Sequence, residues 1–328
     1  MQKHVCCRIN ALRSQIVPGA RRAHSSTPEV DSRQSLILIP PTRKGSKAKH
    51  LSPILFSDVS VYPTLLRRPV RIVKFCALAS GSSGNAALLA TETTRVLIDA
   101  GLSMRETGKR LASVGEELGR IDAILITHEH SDHISGLPVL SRRLKKPVYL
   151  TRLTAPAIDF GENCTPMLEP FQAGASFQIG DIEVESFSIP HDARDPVGFC
   201  LSAQGVRIGI ATDLGYIPES IKFHLRRTDL LLLEANHDLD MLKVGPYPWS
   251  VKQRVMSRVG HLSNLVVSDF LSQDLDRSTT YLLLGHLSEQ NNHPEIVRMV
   301  ADQALEQRGL STQLHIARQN EPSAVYRF

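Results

Sequence analysis

The 328-residue sequence has no CxxC pair and only five cysteines, Cys6, Cys7, Cys76, Cys164 and Cys200. An odd count without paired spacing excludes a disulfide framework and a zinc ribbon. A reducing compartment is the simplest setting for such a chain. Cys76 and Cys200 sit in apolar stretches and read as ordinary core. Long hydrophobic runs are missing too: nothing approaches the roughly 20 apolar residues that cross a bilayer, and LLLLEA at Leu230–Ala235 has the length of a buried strand. No membrane partner is expected. Internal repeats are absent, which excludes a solenoid or propeller.

Acidic residues are scarce at the front of the chain. Residues 1–74 hold 14 Lys+Arg against 3 Asp+Glu, a net of +11, which leaves 24 basic and 30 acidic side chains, a net of −6, for the other 254 residues. The overall charge of +5 therefore belongs to the front, and it gives no argument that the main domain binds nucleic acid. Met1–Pro28 carries five Lys+Arg and no acid. That composition suits a mitochondrial presequence, or the true start lies near Val73. Residues 1–70 are expected to be a basic, disordered leader, and residues 71–328 one folded domain. A cytoplasmic location is expected, with a mitochondrial one as the alternative if the leader is a presequence.

From Ile72 onward the patterning sharpens. RIVKFCAL and AALLATETTRVLIDAG read as strands joined by a Gly/Ser turn at Ser80–Asn85. Ser103–Gly115 reads as a helix capped by Ser103, and Ile121–Thr127 as a buried strand. ISGLPVLSRRL is a short helix and PVYL a strand. Further strands are expected near Phe177–Ile179, Ile182–Ile189, Val197–Ser202, Val206–Ala211, Leu230–Glu234 and Thr279–Leu284. Helices are expected at Pro218–Arg226, Trp249–Arg258, Asn264–Ser272 and Pro294–Arg308. Strands come first, helices interleave, and strands return. An α/β fold with two mixed β-sheets packed together and flanked by helices, an αββα sandwich, would satisfy the apolar faces.

The chemistry gathers in HEHSDH, which places His128, His130, Asp132 and His133 at the end of a buried strand. In extended backbone, side chains at i and i+2 share a face, so His128 and His130 can hold one cation together. A turn after Ser131 would let Asp132 and His133 face a second. Imidazole with carboxylate suits zinc, and also manganese or iron. Three later stretches repeat the form of apolar strand, ligand type, loop: His191 in SFSIPHDARDP, Asp213 in RIGIATDLG and His286 in YLLLGHLSEQNN.

This pattern resembles the metallo-β-lactamase fold superfamily of hydrolases from Ile72 to about Pro294, and LIDAG at Leu97–Gly101 is similar to its second-strand motif. The resemblance implies that His128, His130 and His191 hold a first metal, that Asp132, His133 and His286 hold a second, and that Asp213 bridges them. His130 stands where the diiron redox branch uses glutamate, so a hydrolytic centre of two divalent ions, Zn2+ or Mn2+, is implied. Two cations about 3.5–4 Å apart can share a hydroxide, a nucleophile at neutral pH. Asp99 is a candidate partner that fixes the tautomer of a ligand histidine.

The metal ligands do not choose a substrate. The 73 positions from Asp213 to His286 leave no room for the inserted domain of β-CASP nucleases, and the 42 residues after His286 leave none for a helical C-terminal domain like that of glyoxalase II. FCALASGSSGNAALL, LLLEANHDLDML, GPYPWSVKQRVMSRVGHLSN and LGHLSEQNNHPE resemble the YycJ/WalJ-type group, regarded as 5′→3′ DNA exonucleases. The similarity to related ribonuclease Z and phosphodiesterase enzymes implies that Glu234 orients His261 near the leaving oxygen, and Asp132, His261 and Glu234 are the candidate catalytic residues. Ser80, Ser82, Ser83 and Asn85 in SGSSGN are candidate phosphate contacts in a nest-like turn. Arg194, Lys252 and Arg254 are weaker candidates for the same role, and His237 is a candidate neighbour of the site. His293 and His315 are expected to have no catalytic role. The expected function is a dinuclear metal-dependent phosphodiesterase, a DNA exonuclease. The alternative is a small-molecule hydrolase, either a cyclic phosphodiesterase or a lactonase/thioesterase.

Overall fold

The computed structural model describes residues 72–162 and 164–328. The expected leader lies outside them. The fold begins with an antiparallel run, β1 (Lys74–Ala79), β2 (Ala86–Ala90) and β3 (Arg95–Ile98), and continues with β4 (Ala123–Leu125), β5 (Pro147–Thr151) and β6 (Met167–Phe171), each parallel to the strand before it. A second sheet repeats this plan. Its strands β7 (Ser176–Ile179), β8 (Ile182–Ser188), β9 (Val197–Ala203) and β10 (Val206–Ala211) are antiparallel neighbours. Strands β11 (Leu230–Glu234), β12 (Tyr281–Gly285) and β13 (Gln313–Ile316) then add in parallel. The two-residue β14 (Tyr326–Arg327) returns to pair with β1, so each sheet has seven strands among the described residues.

Alternation along the strands builds three apolar layers. Phe75 and Ala77 face inward and join Leu89, Val184, Phe199, Leu201, Ile208 and Leu232 between the sheets. Cys76 and Leu78 face outward, onto Leu111 of α1 (Met104–Ser113) and Leu137 and Leu140. A one-turn α2 (Ser131–Ile134) precedes the helix that carries those two leucines, α3 (Leu137–Leu144). The second sheet has α4 (Glu219–His224), α5 (Leu239–Val244), α6 (Trp249–Val255), α7 (Asn264–Gln273) and α8 (Pro294–Arg308) after its strands. Its outer layer packs Leu231 and Leu233 with Val267 and Phe270 of α7 and with Val297, Ala301 and Leu305 of α8. Cys76 and Cys200 are both buried and free, as expected of core thiols, and burial raises the Cys200 thiol to about 12.

The expected αββα sandwich is the observed fold. Ser103 caps α1 by accepting from the Glu106 backbone N–H. Three elements were not legible in the sequence. β6 reads Met-Leu-Glu-Pro-Phe with four of five residues at least partly exposed, because it is an edge strand that needs no apolar alternation and tolerates proline. α5 is a short surface helix whose one buried residue is Leu242. β14 exists only through its pairing with β1.

Strand direction decides where the site forms. β10, β11 and β12 are parallel, so their C-terminal ends share one edge. β8 runs the same way, since it is antiparallel to β9, which is antiparallel to β10. In the other sheet β3 and β4 are parallel. Asp99, His128, His191, Asp213, Glu234 and His286 all follow or close the ends of these strands. No helix among the described residues is long and apolar enough to cross a membrane.

Candidate metal centre

His128 to His130 continues beyond β4 as extended chain, and α2 then starts at Ser131 with His130 as its N-cap. The expected turn after Ser131 is therefore a helical turn, which carries Asp132 and His133 away from the first two histidines. The expected ligands fall into two donor sets, and a third group, Asp213, Glu234, His261 and His286, overlaps the second. His128, His130 and His191 each offer a ring nitrogen, all within 4.8 Å of one another, and Asp132, His133, Asp213 and His286 form a second such group. His191 Nε2 lies 3.1 Å from His130 Nδ1. Asp213 Oδ2 is 3.2 Å from His133 Nε2, and its Oδ1 is 3.2 Å from His286 Nδ1. The structure thus brings all seven expected ligand residues together.

Three residues here hold left-handed backbone: Asp99 at φ 58°, Asp213 at 62° and His286 at 54°. None is glycine, and each such residue costs of order 1–3 kcal/mol. The geometry turns each side chain back over its strand end, and the packed sheets on both sides offset the strain.

Each imidazole but one is fixed through its second nitrogen. His133 Nδ1 donates to Asp99 Oδ2 at 2.8 Å, as expected for Asp99. His128 Nδ1 donates to Thr127 Oγ1 at 3.0 Å, and that hydroxyl donates to Asp99. His191 Nδ1 donates to the Gly260 carbonyl at 3.2 Å, and His286 Nδ1 to Glu234 Oε1 at 2.9 Å. Such partners set tautomer and ring orientation for a cation. Thr127 and the Gly260 carbonyl were missed in the sequence: threonine after a strand carries no signal, and a backbone carbonyl has none to carry. His128 Nε2 and Asp213 Oδ2 are buried and without hydrogen-bond partners. Buried polar atoms left unpaired are costly, and imidazole nitrogens facing carboxylates are the donor chemistry of zinc and related cations. The residues fit a metal site.

The charge balance is mixed. Burial would lower His133 and His286, but Asp99 and Asp213 raise His133 well above its ordinary value, and Asp213, Asp132 and Glu234 raise His286 to about 10, so a cation would have to displace their protons. Burial and the neighbouring His133 hold His128 well below its ordinary value, in the neutral form that ligates. Burial would raise the Asp213 carboxyl, but His286 and His133 outweigh it and hold it well below the carboxylate range.

Glu234 is fully buried. Its Oε2 accepts the Leu214 and Leu262 N–H groups at 3.0 and 3.1 Å, and Oε1 accepts His261 Nδ1 at 2.7 Å beside His286. One buried carboxylate oxygen thus accepts from both His261 and the candidate ligand His286. His261 keeps Nε2 for a cavity of about 310 Å³ lined also by Ser82, His130, Ser131, Asp132, Asp213, Arg254 and His286.

The expected phosphate contacts divide. Ser82 lines this cavity and Ser83 is exposed beside it. Ser80 and Asn85 are corrections. Ser80 is buried with its Oγ accepting the His286 N–H at 2.8 Å. Asn85 is buried, its N–H donates to the Asp132 carbonyl at 2.7 Å, and its Nδ2 lies 3.2 Å from Asp132 Oδ2. Both shape the ligand loops and present nothing to solvent. Lys252 is also removed from the phosphate candidates: it is buried, and Nζ donates to the Lys243 carbonyl at 2.7 Å. Arg254 lines the cavity and pairs with Asp192, whereas Arg194 lines a neighbouring hollow. His237 is buried and held near pKa 4 by burial. Its backbone carries the His261 loop through its carbonyl and the Asn264 N–H. His293 caps α8.

Two packed mixed sheets with histidine and aspartate ligands at their strand ends define a metal-dependent hydrolase fold. Residues 94–277 match the family described as "Beta-lactamase superfamily domain". The chain is 38% identical over 237 residues to "Exodeoxyribonuclease YycJ" of Bacillus anthracis, covering 72% of this chain and 90% of that one. It is 37% identical over 241 residues to "Exodeoxyribonuclease WalJ" of Streptococcus pneumoniae, with the same coverage. The metallo-β-lactamase fold protein YhfI of Bacillus subtilis superposes with a TM-score of 0.62 at 16% identity, over 79% of this chain and 100% of YhfI. The chain belongs to the metallo-β-lactamase superfamily and, within it, to the YycJ/WalJ-type group. It is a metal-dependent hydrolase.

Proposed function

We propose that the chain is a dinuclear phosphodiesterase that cleaves DNA from an end, with Zn2+ or Mn2+ as its ions. The observation that carries this reading is the convergence of two donor sets and one non-ligand imidazole on a single polar cavity. His128, His130 and His191 would hold one ion, Asp132, His133 and His286 the other, and Asp213 would serve both. A bound pair of divalent ions supplies an activated water nucleophile and neutralises charge on the phosphoryl oxygens.

The chain's own residues do the rest. His261 donates Nδ1–H to Glu234. Burial opposes its charge, but Glu234 favours it and raises its pKa. The imidazolium then carries a second proton on Nε2, which faces the cavity and can pass to the leaving oxygen. Ser82 and Arg254 stand at the mouth, where a hydroxyl and a guanidinium suit phosphate oxygens. The names of the relatives support DNA as the substrate, and the net −4 of residues 71–328 makes local contacts, not overall charge, the means of holding it.

The test is incubation of the purified chain with Mn2+ or Zn2+ and end-labelled single-stranded DNA, duplex DNA and RNA, beside bis(p-nitrophenyl) phosphate and a panel of lactones and thioesters. Release of nucleotides from DNA ends, abolished by EDTA, is expected. Turnover of lactones or thioesters with inert phosphodiesters would replace this reading by the small-molecule one.

A further inference from the structure

We infer that the hollow between the β5–β6 connection and the loop after His191 is a nucleotide subsite, seating one base and the phosphate beside it. The inference rests on the phosphodiesterase reading above. The hollow has a volume of about 430 Å³ and is lined by Leu153, Pro156, Ala157 and Arg194, none of which lines the metal cavity. Its volume is in the range of small-ligand pockets, about 300–1,000 Å³.

Both walls are anchored to the metal centre. Arg194 follows the candidate ligand His191 by three residues, and its N–H donates at 2.8 Å to Oε1 of Glu129, which lies between His128 and His130. The other wall is pinned from below. Thr151 and Thr154 are buried, with their hydroxyls 3.0 Å apart, and Thr151 Oγ1 donates to the Asp195 carbonyl at 3.3 Å. The hollow therefore has a fixed place next to His130 and His191.

Its surface chemistry selects the occupant. Leu153 is 61% exposed and, with Pro156 and Ala157, presents apolar surface to water, which burial beneath a flat ring would relieve. Arg194 supplies a planar cation suited to phosphate oxygens. Unlike Arg254, which is tied to Asp192, it makes no ion pair among the described residues. Three small apolar contacts are far short of the roughly 800 Å² that a stable protein interface takes from each partner. A flat apolar group joined to an anion is what fits, and a substrate cut at the metal centre must continue past it on one side.

The test pairs Leu153→Asp with Arg194→Glu in the full chain, and a milder pair, Leu153→Ser with Arg194→Gln, guards against misfolding. Both side chains are exposed, so melting midpoints should match the parent. Rates are measured with Mn2+ on a single-stranded oligonucleotide and on bis(p-nitrophenyl) phosphate, which has no base or sugar. The oligonucleotide kcat/KM should fall about tenfold or more, mainly through KM, the scale of one lost base contact. The small phosphodiester should stay within about twofold. An unchanged oligonucleotide rate, or an equal loss on both substrates, would overturn the subsite. A parent chain inert on both substrates would instead overturn the phosphodiesterase reading.

Discussion

Asp99 is not a ligand candidate, yet two candidate ligand histidines lean on it, His133 directly and His128 through Thr127. Asp99→Ala should leave the fold intact and weaken metal binding about 10–100-fold, the usual cost of losing such a partner. Metal titration followed by elemental analysis reads this directly, and parental affinity would show that His133 is fixed by packing alone. His261 makes a different prediction. It is outside the seven expected ligands and held by Glu234 at 2.7 Å. His261→Ala should retain metal and lose DNA cleavage by about 10²–10⁴-fold. The loss should shrink for bis(p-nitrophenyl) phosphate, whose leaving oxygen needs no proton. An equal loss on both substrates would assign His261 to positioning.

Among the elements, the parallel strand ends and α2 place the ligands, and Gly101 sets how closely α2 can approach. A Cβ on Gly101 would overlap the carbonyl oxygen of Asp132 and crowd the Asn85 N–H. Gly101→Ala must therefore shift the backbone of Asp132 or of Gly101 itself, which should disturb the placing of Asp132 and His133 against His286 and Asp213. Overpacking of this kind costs roughly 1–3 kcal/mol. The expected result is a lower melting midpoint together with a lower metal content. A destabilised chain that still binds its full metal complement would show that α2 moves as a unit with its ligands.

Across the whole molecule, polar ties join loops to sheets, and Glu116 is one that pH can read. It follows α1 and pairs with Lys74 of β1 at 3.0 Å and Arg95 of β3 at 2.9 Å. Burial would raise its carboxyl, but the bonds from Arg95 and Lys74 outweigh burial and hold it below the ordinary range. A depressed carboxyl stabilises the fold above its unfolded pKa, about 4.3, and that contribution is lost as pH falls through the folded value. Glu116→Gln should cost roughly 1.5–3 kcal/mol at pH 7, and the gap from the parent should close below about pH 4. A gap that persists in acid would mean shape, not charge, matters there. At the same scale, a chain starting at Ile72 contains every described element and every candidate ligand. It should melt cooperatively and keep metal-dependent activity. Loss of the melting transition would make residues 1–71 structural, and loss of DNA binding alone would make their positive charge a nucleic-acid clamp.

The sequence alone was enough for the fold class and for marking the seven candidate ligands that the fold brings together, because apolar strands with ligand types at their ends leave a mark in one dimension. HEHSDH, His191, Asp213 and His286 are local patterns, and the Pro294–Arg308 helix carries its own start and stop signals. Tertiary structure decided what those residues touch. Ser80 and Asn85 look like anion contacts in a Gly/Ser turn, but folding buries them against His286 and Asp132. Lys252 looks like a surface cation until α6 turns it onto the end of α5. Thr127 adjoins His128 in the chain, but its hydroxyl reaches Asp99 only once β3 and β4 pair, and the Gly260 carbonyl meets His191 only when the loop before His261 folds onto the end of β8. Periodicity records which face a residue takes, whereas hydrogen bonds between distant segments depend on strand direction and register, which single-sequence patterns do not encode.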